Sequence, residues 1–107
     1  MPFQLIRRRI MATFVALLNF TDQGIRTVKD TTKRAAAVRE LAKKNGIDMK
    51  DIYWTLGQYD LVVTFTAPDE ATMTAFGLSL GMAGNVRTQT LRAFSADEMN
   101  DILSKMP

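Results

Sequence analysis

The segment Gly57-Gln58-Tyr59-Asp60 constrains this chain more than any other, because the runs on both sides of it read as strands. Upstream lies Ile52-Tyr53-Trp54-Thr55-Leu56, and downstream lies Leu61-Val62-Val63-Thr64-Phe65-Thr66. Both are rich in β-branched and aromatic residues, which suit a pleated, half-buried surface. A glycine beside Gln-Tyr-Asp supplies the backbone freedom of a tight connection. The expectation is a hairpin at the centre of the fold.

The flanking segments predict the remaining elements. Ala12 to Phe20 is apolar on both faces and reads as a central strand. Thr21 or Asp22 then caps a helix whose buried stripe is Ile25, Val28, Thr32, Ala35, Val38 and Ala42, with Arg26, Lys29, Lys33, Arg34, Lys43 and Lys44 largely off it. Asn45-Gly46 closes that helix, and Asp48 to Asp51 reads as a connector. Pro68-Asp69-Glu70 ends the strand after the hairpin and starts a second helix with a stripe of Met73, Phe76, Leu80 and Ala83. Gly77, Gly81 and Gly84 weaken this helix, and the Gly77-x-x-x-Gly81 spacing suggests close backbone packing. A last strand, Val86 to Phe94, places Thr88, Thr90 and Arg92 on one face and Arg87, Gln89 and Leu91 on the other. Ser95-Ala96-Asp97-Glu98 spells a capping box, with Phe94 and Met99 placed to staple it. Met99, Ile102, Leu103 and Met106 then make a short amphipathic helix.

The order is β-α-β-β-α-β plus a terminal helix, an α+β ferredoxin-like arrangement with a four-stranded antiparallel sheet and both main helices on one face. The first three strands nevertheless carry apolar residues on both faces: Phe14, Ala16 and Leu18 oppose Val15 and Leu17, and Leu61 and Val63 oppose Val62. So apolar a second face should not remain in water, so a homodimer or higher homo-oligomer is expected.

Composition narrows the chemistry. At 107 residues, 47% apolar and 23% charged, this is one ordinary globular domain. It has no cysteine and no histidine, which removes disulfides, thiolate nucleophiles, Ser-His-Asp triads and the commonest metal ligands. No metal and no cofactor is expected. The net charge of +3 belongs to Arg7, Arg8 and Arg9, which lie in a ten-residue leader without an acid. Beyond it, 11 basic residues face 11 acidic ones. The expected division is a basic N-terminal extension, residues 1–10, and a domain over residues 11–107, with Met11 as an alternative start. The apolar run after the arginines is too short to span a bilayer and lacks a cleavage pattern, so a cytoplasmic protein without a membrane partner is expected. Nucleic acid is disfavoured as well, because Leu61 to Thr66 lacks the signature of a base-stacking sheet.

Further residues carry a resemblance. Gly57-Gln58-Tyr59-Asp60-Leu61-Val62, Ala67-Pro68-Asp69 and Gly84-Asn85-Val86-Arg87-Thr88-Gln89-Thr90-Leu91-Arg92-Ala93-Phe94 resemble the GYD domain family over Met11 to about Leu103. That resemblance implies a ferredoxin-like fold of the dimeric α/β-barrel type and no defined activity. A more distant likeness is to the ligand-binding domain of Lrp/AsnC-type regulators, which implies small-ligand sensing; no helix-turn-helix precedes the first strand here.

The candidate ligand-binding residues are Trp54, Tyr59, Asp60, Asn85 and Arg87, and the structural motif is Gly57, Tyr59 and Asp60. Each has a plainer reading. Asp60 can bond backbone amides, Tyr59 can fill a subunit seam, and Trp54 can fill core or interface. Gly84-Asn85 can simply end a helix. Arg87 and Arg92 can pair internally with Asp60, Asp69 or Glu70 rather than hold a carboxylate. The expected function is a small homo-oligomeric domain that binds or senses a small organic molecule. The alternatives are a cofactor-independent oxygenase or isomerase using Tyr53, Trp54, Tyr59, Asn19 and Arg87, or an accessory protein acting through assembly. No nucleophile is paired with a base, so the sequence leans away from an enzyme.

Overall fold

A computed structural model describes residues 11–107. The expected basic extension, residues 1–10, lies outside the described residues. The order is β1 (Ala12–Phe20), α1 (Asp22–Arg26), a single 3₁₀ turn (Val28–Asp30), α2 (Thr31–Lys44), β2 (Asp48–Trp54), β3 (Leu61–Ala67), α3 (Glu70–Ala83), β4 (Val86–Ala93) and α4 (Ala96–Ser104). The four strands form one antiparallel sheet in the order β2-β3-β1-β4, the ferredoxin-like arrangement expected from the sequence.

The period-2 alternation of strands sorts the side chains. Phe14, Ala16 and Leu18 of β1 and Leu61, Val63, Phe65 and Ala67 of β3 are all buried beneath the helices. Met73, Phe76 and Leu80 of α3 complete this core, with the Phe65 and Phe76 rings edge to face at 5.9 Å. The other face of the sheet presents Val15, Leu17 and Val62, all half-buried, with the exposed Leu91 and Tyr53. The apolar second face read from the sequence is therefore present, and within the described chain no helix covers it.

Helix ends follow their capping chemistry. Thr21, rather than Asp22, caps α1, its hydroxyl accepting from Gly24 N at 3.0 Å. Asp69 caps α3 through Thr72 N at 2.6 Å, and Gly84 (φ 88°) closes it. Asn45-Gly46 ends α2 as expected. Gly46 sits at φ 73° and donates to Lys43 O, while Ile47 donates to Ala42 O and buries its side chain. The Ser95–Glu98 capping box forms in both directions.

Several expectations are corrected. Asp48 to Asp51 is no connector: β2 begins at Asp48, passes a bulge between Met49 and Asp51, and stops at Trp54. Asp48, Lys50 and Asp51 are poor strand formers, yet they suit an edge strand, where charge deters pairing with another chain. Leu56 lies beyond β2 in the turn and is fully exposed. The first long helix is broken, because Thr27 leaves helical geometry between α1 and the 3₁₀ turn. The break moves the stripe: Ile25, Val28 and Thr32 are exposed, while Arg34, Ala35 and Val38 are half-buried and Ala42 is buried. Ala83, at the last turn of α3, is exposed. Among the described residues nothing within 4 Å would meet a Cβ on Gly77 or Gly81, so neither serves close packing there. Finally, β4 ends at Ala93, and Phe94 and Met99 are both largely exposed.

Candidate functional site

The chemistry-bearing residues gather at one end of the sheet, where β1 and β2 finish and β3 and β4 begin. The register brings Phe20 opposite Val86 and Trp54 opposite Leu61 there. The Gly57–Asp60 turn closes this end. Gly57 takes φ 118°, a conformation that side-chain-bearing residues rarely adopt. Thr55 N donates to Asp60 O at 2.8 Å, and the Thr55 hydroxyl donates to Tyr59 O at 2.6 Å. Asp60 then reaches sideways to β1: its amide donates to Leu18 O at 2.8 Å and its carboxylate accepts from Phe20 N at 2.9 Å. The turn thus clamps the end of β1 and fixes where Phe20 sits.

Phe20 lines a cavity between the sheet and its two long helices. Helix α2 packs on β2, and α3 packs on β3 and β4, so the strip of sheet between the helices is only partly roofed. The resulting cavity measures about 90 Å³. Leu18, Leu61 and Val63 form its floor, and Val38 and Leu80 stand on opposite walls. A single water needs only about 10–15 Å³ by this kind of measure, so there is room for several atoms of a guest. The polar lining residues Thr31, Arg34 and Asn85 all lie at the clamped end, which forms a polar mouth on an apolar chamber.

The mouth is held together by α1. Thr21 N donates to Asn85 O at 3.1 Å, and the Thr21 hydroxyl donates to Gly84 O at 2.5 Å. Gln23 Nε2 donates to Ala83 O and Asn85 Oδ1, both at 3.1 Å. Arg34 crosses the break between α1 and α2: Nη1 donates to Thr27 O at 2.8 Å and to the Thr27 hydroxyl at 2.7 Å, while Nη2 donates to Gly24 O at 3.1 Å. Thr27 O also accepts from Asp30 N at 3.0 Å, so Arg34 adds a side-chain donor to the backbone turn at the break. Next to the mouth, the Trp54 indole N–H donates to Thr31 Oγ1 at 2.9 Å.

The sequence-derived candidates therefore fall in different places. Asn85 lines the cavity mouth, and Trp54 adjoins it only through its bond to the lining residue Thr31. Asp60 is engaged with the backbone of β1, the plainer of its two readings. Tyr59 leaves the turn on the other side, where its hydroxyl donates to Gln89 Oε1 at 3.0 Å on the uncovered sheet face. Arg87 pairs across from Asn19 on that same face and forms no ion pair among the described residues. Arg92 is occupied: it lies over the Phe94 ring at 4.5 Å and the Phe14 ring at 5.6 Å and pairs with Glu98 at 3.7 Å. The five residues considered for an oxygenase-like site are split by the sheet, with Asn19, Tyr53, Tyr59 and Arg87 on one side and Trp54 on the other. Within one chain they form no single pocket.

Sequence reasoning passed over Arg34 and Thr31. The signal was present, because Arg34, Val38 and Ala42 are spaced by four and so share a helix face. A stripe phased from Ile25 and Val28, across a break not foreseen, assigned Arg34 to the solvent side.

Comparison with known families finds a match. The family model of the GYD domain matches residues 14–103, nearly the whole described chain. The chain belongs to the GYD domain family. In its turn, Asp60 clamps β1, Tyr59 bridges to Gln89 and Gly57 supplies the positive φ. None of the curated proteins compared shows significant similarity to this GYD domain. No helix among its described residues is long and apolar enough to cross a membrane.

Proposed function

We propose that this GYD domain binds a small, largely apolar molecule in the chamber between its sheet and helices, and that it works as a homo-oligomer joined through the uncovered sheet face. The observation that carries the reading is the chamber of about 90 Å³, walled by Leu18, Val38, Val63 and Leu80 and given a polar rim at one end only. Ligand sites are typically apolar with a few placed polar groups, and they commonly lie between packed elements. The absence of histidine and cysteine and the scatter of the remaining polar side chains favour binding over catalysis. Val15, Leu17, Val62 and Leu91 on the open face support self-association, as does the exposed apolar side of α4 with Met99 and Leu103.

Trp54, the single tryptophan, reports on the site through its bond to Thr31. Titration with small aromatic and branched aliphatic compounds is expected to change its fluorescence and to raise the melting temperature, since a ligand bound only by the native state must stabilise it. Ala35→Leu, which enlarges a side chain of the chamber lining, is expected to abolish both responses while the protein stays folded. Absence of any response across the panel, or responses untouched by Ala35→Leu, would remove the chamber as the site.

A further inference from the structure

The rim of the chamber carries more information than its volume. Arg34 is the one charged residue in the lining, and no acidic side chain pairs with it among the described residues. A half-buried guanidinium commonly has a carboxylate partner, because desolvating a charge is costly without one. Here its partners are neutral oxygens: Thr27 O, the Thr27 hydroxyl and Gly24 O take three of its five N–H groups. Two N–H groups remain, one on Nη2 and one on Nε. These three bonds also fix the guanidinium in place, so little side-chain freedom is left to lose when a guest arrives.

Asn85 adds a second donor. Its Oδ1 accepts from Gln23 Nε2, which orients the amide, and its Nδ2 has no partner within the described chain. The Asn85 backbone is held by Thr21, so this donor is also preorganised. Thr31 offers less, since its hydroxyl already accepts from Trp54. The free capacity of the rim therefore consists of donors around one positive charge, above an interior that offers a ligand nothing but apolar contact.

We propose that the ligand is a small monocarboxylic acid, its aliphatic or aromatic part in the chamber and its carboxylate at the rim on Arg34 and Asn85. A carboxylate is planar with two oxygens and matches the spare edge of a guanidinium, which can grip it with two parallel hydrogen bonds. A phosphate, with its higher charge, would call for a second cation, and the lining holds only one. This inference rests on the chamber being the binding site, and it names the chemistry that site selects.

Isovalerate, benzoate and phenylacetate, each paired with its primary amide, provide the test, read by Trp54 fluorescence and by melting temperature. The acids are expected to bind at least about tenfold more tightly than the amides, since a charge-assisted hydrogen bond is roughly twice as strong as a neutral one. Arg34→Lys is expected to keep part of the preference, and Arg34→Met to erase it, bringing acids and amides to the same affinity. The wild-type comparison of acid with amide needs no variant, so the test stands even if Arg34→Met unfolds. Equal affinity for acids and amides, or an acid preference that survives Arg34→Met, overturns the carboxylate assignment and leaves the chamber as an apolar site. Failure of acids and amides alike, with no effect of Ala35→Leu on any apolar compound, overturns the chamber itself and this inference with it.

Discussion

Asp60 directs both its backbone amide and its carboxylate at β1, so its replacement should be felt at a distance of 40 residues along the chain. Asp60→Ala leaves the Phe20 amide without its acceptor, and an orphaned, part-buried donor costs about 1–3 kcal/mol. Urea denaturation should report that loss, and with Phe20 released, ligand affinity should fall as well. Gly24 presents the opposite problem, one of space. A Cβ there would sit 1.9 Å from Asn85 O, which is backbone and cannot rotate away. Gly24→Ala must therefore push α1 off the Gly84-Asn85 turn, and overpacking of this kind costs about 1–3 kcal/mol. Calorimetry is expected to show the lowered melting temperature, and the displaced Asn85 should weaken acid binding more than amide binding.

The elements differ in what holds their ends. Helices α3 and α4 both start on a carboxylate that accepts a backbone N–H. The Thr72 N–H holds the Asp69 carboxyl below the usual aspartate range, and the Ser95 N–H does the same for Glu98. A lowered native pKa means that the folded state prefers the charged form. The contribution to stability is therefore fully present above the ordinary carboxylate range and is lost as pH falls through the lowered native values. Amide proton shifts of Thr72 and Ser95 should titrate together with these carboxyls, with midpoints below those of free aspartate and glutamate. Asp69→Asn and Glu98→Gln should flatten the respective curves. Helix α4 has a further weakness. It is nine residues long with Met99 and Leu103 exposed, and isolated helices shorter than about 12–15 residues are marginal in water. In the proposed homo-oligomer its Met99–Leu103 side is expected to be covered.

For the whole molecule, the proposed self-association rests on the sheet face that no helix covers in the described chain. Leu17 and Leu91 lie there, on neighbouring strands, away from the core formed by Phe14, Phe65 and Phe76. Leu17→Lys combined with Leu91→Lys should reduce the mass measured by light scattering to that of a single chain, with helix and sheet content unchanged; an unaltered mass would place the contact elsewhere. The sequence by itself determined the order of strands and main helices, the turn at Gly57–Asp60, the two-faced sheet, the helix start at Pro68-Asp69-Glu70, the capping box at Ser95, and the family. Each of these rests on local chemistry: side-chain periodicity, a carboxylate or hydroxyl before a helix, a glycine where φ is positive. Tertiary structure alone decided the rest. Strand β2 starts at Asp48 because β3 pairs with it, although its own residues are poor strand formers. The helix before it breaks at Thr27, where Arg34 reaches back across the gap to Thr27 O and Gly24 O. The chamber exists because two helices rest on different strands and leave a strip of sheet between them, a relation between distant segments that no local pattern encodes.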